Sequence, residues 1–269
     1  MVAHAGLSYG ALLIGVTVNA ALYGVSAVQV FTYFNAYKSH DDSKWIALVV
    51  LVILSLDTFS TICESLYAYN ALVSDFGQPS ELLQSNWEFF ILPAITAITS
   101  TLVQGFLAWR IQVLTRNRWV VGLIGVVAFV SLLGGIGSTI ATDRVRTFFY
   151  FRQFEPVVVV WLGSAVLGNL LITFVMIKAL RAHKTGFADT DTVIRKVTVL
   201  VANTGLITAA WTLVDLVLYV VYANGTHFAI NLSLGRLYSN SLMLTLNARK
   251  KPAQDGNFAV IQFSARGKA

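Results

Sequence analysis

Seven long, predominantly apolar stretches dominate this chain, at residues 7 to 35, 45 to 72, 89 to 109, 119 to 142, 156 to 177, 197 to 223 and 228 to 246. A helix crossing the hydrocarbon core needs about 20 mostly apolar residues, because lipid offers the backbone no hydrogen-bonding partner. Each stretch is of that order, and the first, third, fourth and fifth contain no charged residue. With 56% hydrophobic residues, 12% charged residues and a mean hydropathy of +0.69, the composition lies outside that of soluble domains. The expected fold is all-α, a polytopic bundle of seven transmembrane helices over residues 1–251, followed by a mobile cytoplasmic tail over 252–269. The first stretch is too long for the apolar region of a secretory signal and has no basic segment before it, so it reads as a retained helix.

Orientation follows from the Lys and Arg residues, which concentrate on the cytoplasmic side of short loops. Lys38 and Lys44 fall between spans 1 and 2, Arg110, Arg116 and Arg118 between 3 and 4. Lys178, Arg181, Lys184, Arg195 and Lys196 fall between 5 and 6, and Arg249, Lys250, Lys251, Arg266 and Lys268 follow span 7. Against these stand only Arg144, Arg146 and Arg152, with Arg236 inside a span. This pattern predicts an outside N-terminus and a cytoplasmic C-terminus. The net charge of +6 is then a topological signature, and no basic, aromatic-rich platform points to nucleic acid.

Trp45, Trp109 and Trp119 are expected at the cytoplasmic interface and Trp87 at the outer one, where an indole can meet both lipid and water. Trp161 and Trp211 fall within spans and are expected to pack against other helices. The single cysteine, Cys63, excludes an intrachain disulfide. His4, His40, His183 and His227 lack ligand spacing, so neither a metal nor a cofactor is implied. Asp191 or Thr192 reads as a cap of span 6. Asn224-Gly225-Thr226 matches a glycosylation pattern too close to the membrane for use, and Asn231-Leu232-Ser233 is an accidental match inside span 7.

The loops leave no room for a soluble domain, so function is expected within the bundle. Asp57, Glu64, Asp215 and Arg236 are ionisable groups inside spans, where an unpaired charge costs at least about 2.5 to 3.5 kcal/mol. Counted at about 1.5 Å per residue, Glu64, Asp215 and Arg236 each lie roughly 12 Å below the outer surface. Asp215 and Arg236, on consecutive spans, are therefore the expected ion pair, leaving Asp57 and Glu64 to be protonated, hydrated or balanced by a ligand. Asp57, Ser60, Thr61 and Glu64 share one helical face. Thr204, Thr208, Thr212, Asp215 and Tyr219 form a second stripe, Ser233, Arg236 and Asn240 a third, and Asn169 sits near the midplane. The expected result is a partly hydrated, outward-opening cavity with Asp57, Glu64, Asp215, Arg236, Asn169, Tyr219 and Asn240 as binding residues.

The segments LYGVSAVQVFTYFNAYKSHDDSKW, LDTFSTICESLYAY, RAHKTGFADTDTVIRK, NTGLITAAW and RLYSNSLMLTLNARK resemble a seven-helix membrane-protein family of mushroom-forming fungi, a family of unknown function. The resemblance covers nearly the whole chain and implies fold and topology. Asp57 and Asp215 match acidic positions of that family. Ser60 stands where it often has His, and Asn169 and Asn203 stand where acids are expected, which speaks against a proton relay or metal site here.

The favoured functional reading is a receptor-like sensor of a small molecule or lipid, in the plasma membrane more than in internal membranes. Its partners would be the bilayer, that ligand, and a cytosolic protein at the basic inner loops. Trp109-Arg110-Ile111 replaces the Asp-Arg-Tyr that ends span 3 in common receptors, and Asn240 precedes no Pro. One alternative is a lipid- or isoprenoid-modifying enzyme with Glu64 and Asp215 as proton donor and base. Another is a proton-linked transporter using Asp57, although no internal repeat accompanies it. Retinal chemistry is excluded by the lack of a Lys within any span.

Overall fold

The computed structural model describes residues 2–36, 44–74, 87–145, 153–182, 188–222 and 227–248. Among these residues every long element is helical: α1 (Val2–Ala36), α2 (Lys44–Tyr69), α3 (Trp87–Phe90), α4 (Leu92–Thr115), α5 (Arg118–Val145), α6 (Glu155–Ala182), α7 (Ala188–Val221) and α8 (Phe228–Asn247). A π-helical turn, Asn70–Ser74, ends α2. The third apolar stretch is divided into α3 and α4 at Ile91, because Pro93 lacks an N–H and is tolerated only in the first turn of a helix. Helix α7 begins at Ala188, upstream of the expected start at 197, so Asp191 and Thr192 lie within the helix and do not cap it. The tail 252–269 and the Asn224-Gly225-Thr226 pattern lie outside the described residues.

Neighbouring helices follow chain order, α1 against α2, α2 against α4, then α5, α6, α7 and α8, which returns to α1 and closes the bundle. Helices α4 and α8 also meet across the middle. The side chains are distributed inside out relative to a water-soluble protein. Leu48, Leu51, Phe59, Ile62, Leu123, Val126, Phe129 and Phe174 are exposed, while Asp57, Glu64, Gln104, Asp215 and Arg236 are buried. Such a surface would aggregate in water and is the one a lipid environment selects.

Among the described residues six spans are long and apolar enough to cross a membrane, contributed by α1, α2, α3 with α4, α5, α6 and α7. The seventh expected span, residues 228 to 246, coincides with α8 but is not among the six. The reason is its place in the fold. Leu232, Leu234, Tyr238, Leu242, Met243 and Leu246 are buried together with Ser233, Arg236, Ser239, Asn240 and Thr245, so α8 is enclosed by protein on most of its circumference. A helix facing other helices carries polar groups that a lipid-facing helix cannot, and this dilutes its apolarity.

Close backbone approach fixes two of the seams. A Cβ on Gly15 of α1 would stand 2.9 Å from the carbonyl oxygen of Phe228 and 3.1 Å from Cα of Ala229, so only glycine lets α1 meet the start of α8. Gly205 of α7 is likewise filled by the side chain of Thr173 on α6. At one end of the bundle Trp45 and Trp109 make a perpendicular ring contact with centroids 4.5 Å apart, and Phe106 packs beside both. The α4–α5 turn lies near Trp109 along the chain. Arg116 adopts φ 54° and donates its N–H to the Gln112 carbonyl, and Asn117 Oδ1 accepts from the N–H groups of Trp119 and Val120 to cap α5.

Candidate functional site

Arg236 pairs with Asp57, not with Asp215. Nη1 of Arg236 lies 2.6 Å from Asp57 Oδ1, and both side chains are sealed from the surface, 2% and 0% exposed. Nη2 donates to the Asp57 carbonyl at 2.6 Å and to Thr61 Oγ1 at 2.7 Å, so the guanidinium clamps backbone and side chain of α2 together. Ser239 donates to Asp57 Oδ1 at 2.9 Å and Ser26 of α1 to Oδ2 at 3.2 Å. Tyr23 of α1 places its ring 5.8 Å from the guanidinium carbon. Asp57, one of the two acids expected to be uncompensated, is thus the most completely satisfied one, tying α1, α2 and α8 at one point.

The expected Asp215–Arg236 pair fails both in height along α8 and in azimuth, because Asp215 meets Asn231, which lies about 7.5 Å nearer the start of α8 than Arg236. Asp215 Oδ2 accepts from Asn231 Nδ2 at 2.6 Å. Asn231 and Arg236 are five residues apart, which at 3.6 residues per turn puts them about 140° apart around α8. The side of α8 that brings Asn231 to Asp215 does not present Arg236 there. Ser233, Arg236 and Asn240, expected as one stripe, accordingly serve three neighbours. Ser233 accepts from Trp211 of α7, Arg236 reaches α2, and Asn240 donates to the Leu22 carbonyl of α1. Trp211 also donates to the Ile230 carbonyl, and Trp161 is buried against α5, as expected for indoles inside spans.

Glu64 lies on the same face of α2 as Asp57, accepts from Ser60 at 2.8 Å, and keeps its Oε2 buried without a hydrogen bond. The Asn19 amide of α1 stands beside it. At the α2 end, Glu88 of α3 is buried and accepts from Asn70 of the π-helical turn at 3.4 Å. Glu88 was not among the sequence candidates because it fell just before the third apolar stretch.

Asn169 joins a second network. Gln104 of α4 donates to Asn169 Oδ1 at 3.2 Å, and Asn169 donates to the Tyr238 hydroxyl at 2.9 Å, so α4, α6 and α8 are linked by neutral groups. Gln104, Tyr238, Asn231, Ser26 and Ser239 carry these networks, and the sequence reading did not select them. Gln104 was legible as the lone long polar side chain in an uncharged span, and Ser239 as the residue one turn beyond Arg236.

Two cavities open near these groups. A cleft of about 40 Å³, the outer one in the orientation that the Lys and Arg residues predict, is walled by Phe89, Phe154, Trp161, Tyr219 and Phe228, with Asn231 and His227 as polar lining. His227 packs edge-on to Tyr219 at 5.0 Å and against Phe228 at 4.2 Å. Desolvation there pushes its imidazole down to about 3, and Nδ1 is buried without a hydrogen bond. The inner cavity, about 30 Å³, lies among α4, α6, α7 and α8 beside Gln104 and Asn169. With about 10 to 15 Å³ needed per water, these are spaces for a few waters each. Asp57, Glu64 and Asp215 are not among the residues lining either cavity; Glu64 bonds to Ser60 of its own helix and Asp215 to Asn231 of α8. Among the described residues no group of three His, Cys, Asp or Glu side chains is placed to hold a metal ion.

Residues 165–251 match the sequence model of a family of unknown function, DUF6534. The match begins inside α6, runs through α7 and α8, and so includes Asn169, Asp215, Asn231 and Arg236 but not Asp57 or Glu64. No curated protein and no solved structure matches the chain.

Proposed function

We propose that the chain is a seven-crossing protein of the plasma membrane, N-terminus outside and C-terminus cytoplasmic, that acts as a receptor-like sensor of a small amphipathic molecule. The observation that carries this reading is the position of Asn231, which lines the outer cleft and donates to the buried Asp215 of α7. A ligand group that competes for Asn231 changes the shortest polar contact between α7 and α8 among the described residues. A signal can pass only through such differential contact between two arrangements of the helices.

The lining argues for the ligand's chemistry. Aromatic walls favour an apolar ring or chain, whereas neutral His227 and Asn231 favour one hydroxyl group that can both donate and accept. A cleft of this size takes the hydroxyl end of such a molecule, with the body remaining at the cleft mouth or in the outer leaflet. Helix α7 leads back to the basic segment 178 to 196, and α8 leads to Arg249, Lys250 and Lys251, which supports a cytosolic protein partner on that side.

The test is to incubate the protein in nanodiscs with a fungal lipid extract, a choice guided by the sequence resemblance, and to analyse bound and altered species by mass spectrometry. A hydroxylated lipid retained unchanged by the parent and lost from Asn231→Ala is the expected result. Conversion of a lipid to a new product would replace the sensor reading by an enzymatic one, and no retention by either form would remove it.

A further inference from the structure

The inner cavity differs from the outer cleft in its chemistry, because its hydroxyl protons are already committed to the protein. Thr173 donates to the Asn169 carbonyl, Thr204 to that of Leu200 and Thr245 to that of Ser241, at 2.7, 2.9 and 2.7 Å. Thr208 donates to the Thr204 carbonyl at 2.7 Å, so in its 3.2 Å contact with Ser241 it is the acceptor. The Tyr238 hydroxyl accepts from Asn169 and also bonds Thr212. Beside the apolar Val103, Leu107, Ile172 and Val201, the hydroxyls that line the cavity therefore offer it oxygen lone pairs, as does Oε1 of Gln104, which is buried without a hydrogen bond in a side chain only 1% exposed.

A buried acceptor without a donor costs about 1–3 kcal/mol, and a hydroxyl oxygen that has spent its proton can still accept. The occupant of this space must bring donors. A cation would bring charge as well, but no carboxylate lines the cavity, and an uncompensated charge at bilayer depth is costly. Water brings two donors and no charge, and about 30 Å³ suits roughly two molecules.

We infer that the inner cavity between α4, α6, α7 and α8 is a binding site for about two structural waters that donate to Gln104 Oε1 and to the threonine oxygens of α6 and α7. The site makes the α7 seam a hydrated one, in contrast to the dry contact of α1 with α8 at Gly15.

Radiolytic hydroxyl-radical labelling in nanodiscs made up in ¹⁸O water tests this, since radicals generated from a bound water label only side chains beside it. Tyr238 and Leu107, which line the cavity, should be labelled, whereas buried Met243, outside it and intrinsically more reactive, should not. Gln104→Leu removes the acceptor and fills space, and should lower Tyr238 labelling at least severalfold. Thr204→Val, a smaller change, should lower it partially and serves if Gln104→Leu does not fold. Tyr238 labelling no higher than that of Met243 would overturn the proposal. A fall in Tyr238 labelling when choline is replaced by sodium at constant ionic strength would overturn it in favour of a cation.

Discussion

Arg236 brings a permanent charge into the bundle, and whichever acid meets it fixes how α8 sits. Asp57 does so, with two serines and a backbone carbonyl completing the shell. Removing one partner of a buried pair leaves the other charge stranded at a cost of about 3–5 kcal/mol, more than the pair itself contributes. Asp57→Asn and Arg236→Met should therefore each lower the thermal midpoint in detergent strongly, and the double variant should lose clearly less than their combined effect. Additive losses in that cycle would mean that the two side chains do not interact. Asp215→Asn should be milder, because Asn231 keeps an oxygen acceptor opposite it. Glu64→Gln should leave the fold intact, since the Ser60 bond needs only an oxygen there and the new amide N–H group has the unpartnered Asn19 oxygen beside it as an acceptor. A large loss for Glu64→Gln would show that the charged carboxylate supports the fold.

Helices in lipid gain little from apolar contact alone, so seams depend on how closely backbones approach. Gly15→Ala would set a Cβ against the backbone of Phe228 and Ala229 and should destabilise by about 1–3 kcal/mol. Gly24→Ala, on the same helix with nothing within 4 Å, should be neutral or slightly stabilising. Comparing the two melting curves separates packing from propensity, and equal effects would refute the close α1–α8 seam. At this scale much was legible beforehand. The apolar stretches locate the helices because bilayer thickness sets their length, and the indoles inside spans pack where expected. Partner choice was not legible. Depth follows from counting residues to the membrane surface, but which face of α8 meets which neighbour depends on the crossing geometry of four helices. Counting along the chain therefore matched Arg236 to Asp215, while the fold gave it to Asp57. The half-buried site at Asn231 was hidden for a related reason, since its side chain reads as a sequon until α7 is placed beside it.

Whether the molecule crosses the membrane six or seven times turns on α8. Its apolarity falls short because it carries Asn231, Ser233, Arg236, Ser239 and Asn240, yet these side chains bond to α7, α2 and α1 and not to lipid. Insertion depends on the groups a helix shows to hydrocarbon, and α8 shows few. Its 20 residues rise about 30 Å, the thickness of the hydrocarbon core. Moreover, α8 contacts α1 and α7, helices that themselves qualify as spans, which a helix lying on the membrane surface could not do along its length. Seven crossings put the two termini on opposite sides of the membrane, and six would put them on the same side. Epitope tags at the two ends of the chain decide the matter in intact cells. The N-terminal tag should be stained without permeabilisation, and the C-terminal tag only after it. Staining of both tags in intact cells would leave α8 out of the membrane-crossing set, and staining of the C-terminal tag alone would invert the orientation that the Lys and Arg residues predict. Arg236→Met in the same assay distinguishes cause from consequence. If α8 is held across the membrane by the whole bundle, the C-terminal tag stays inside, and if the Asp57 clamp alone holds it, part of the population stains from outside.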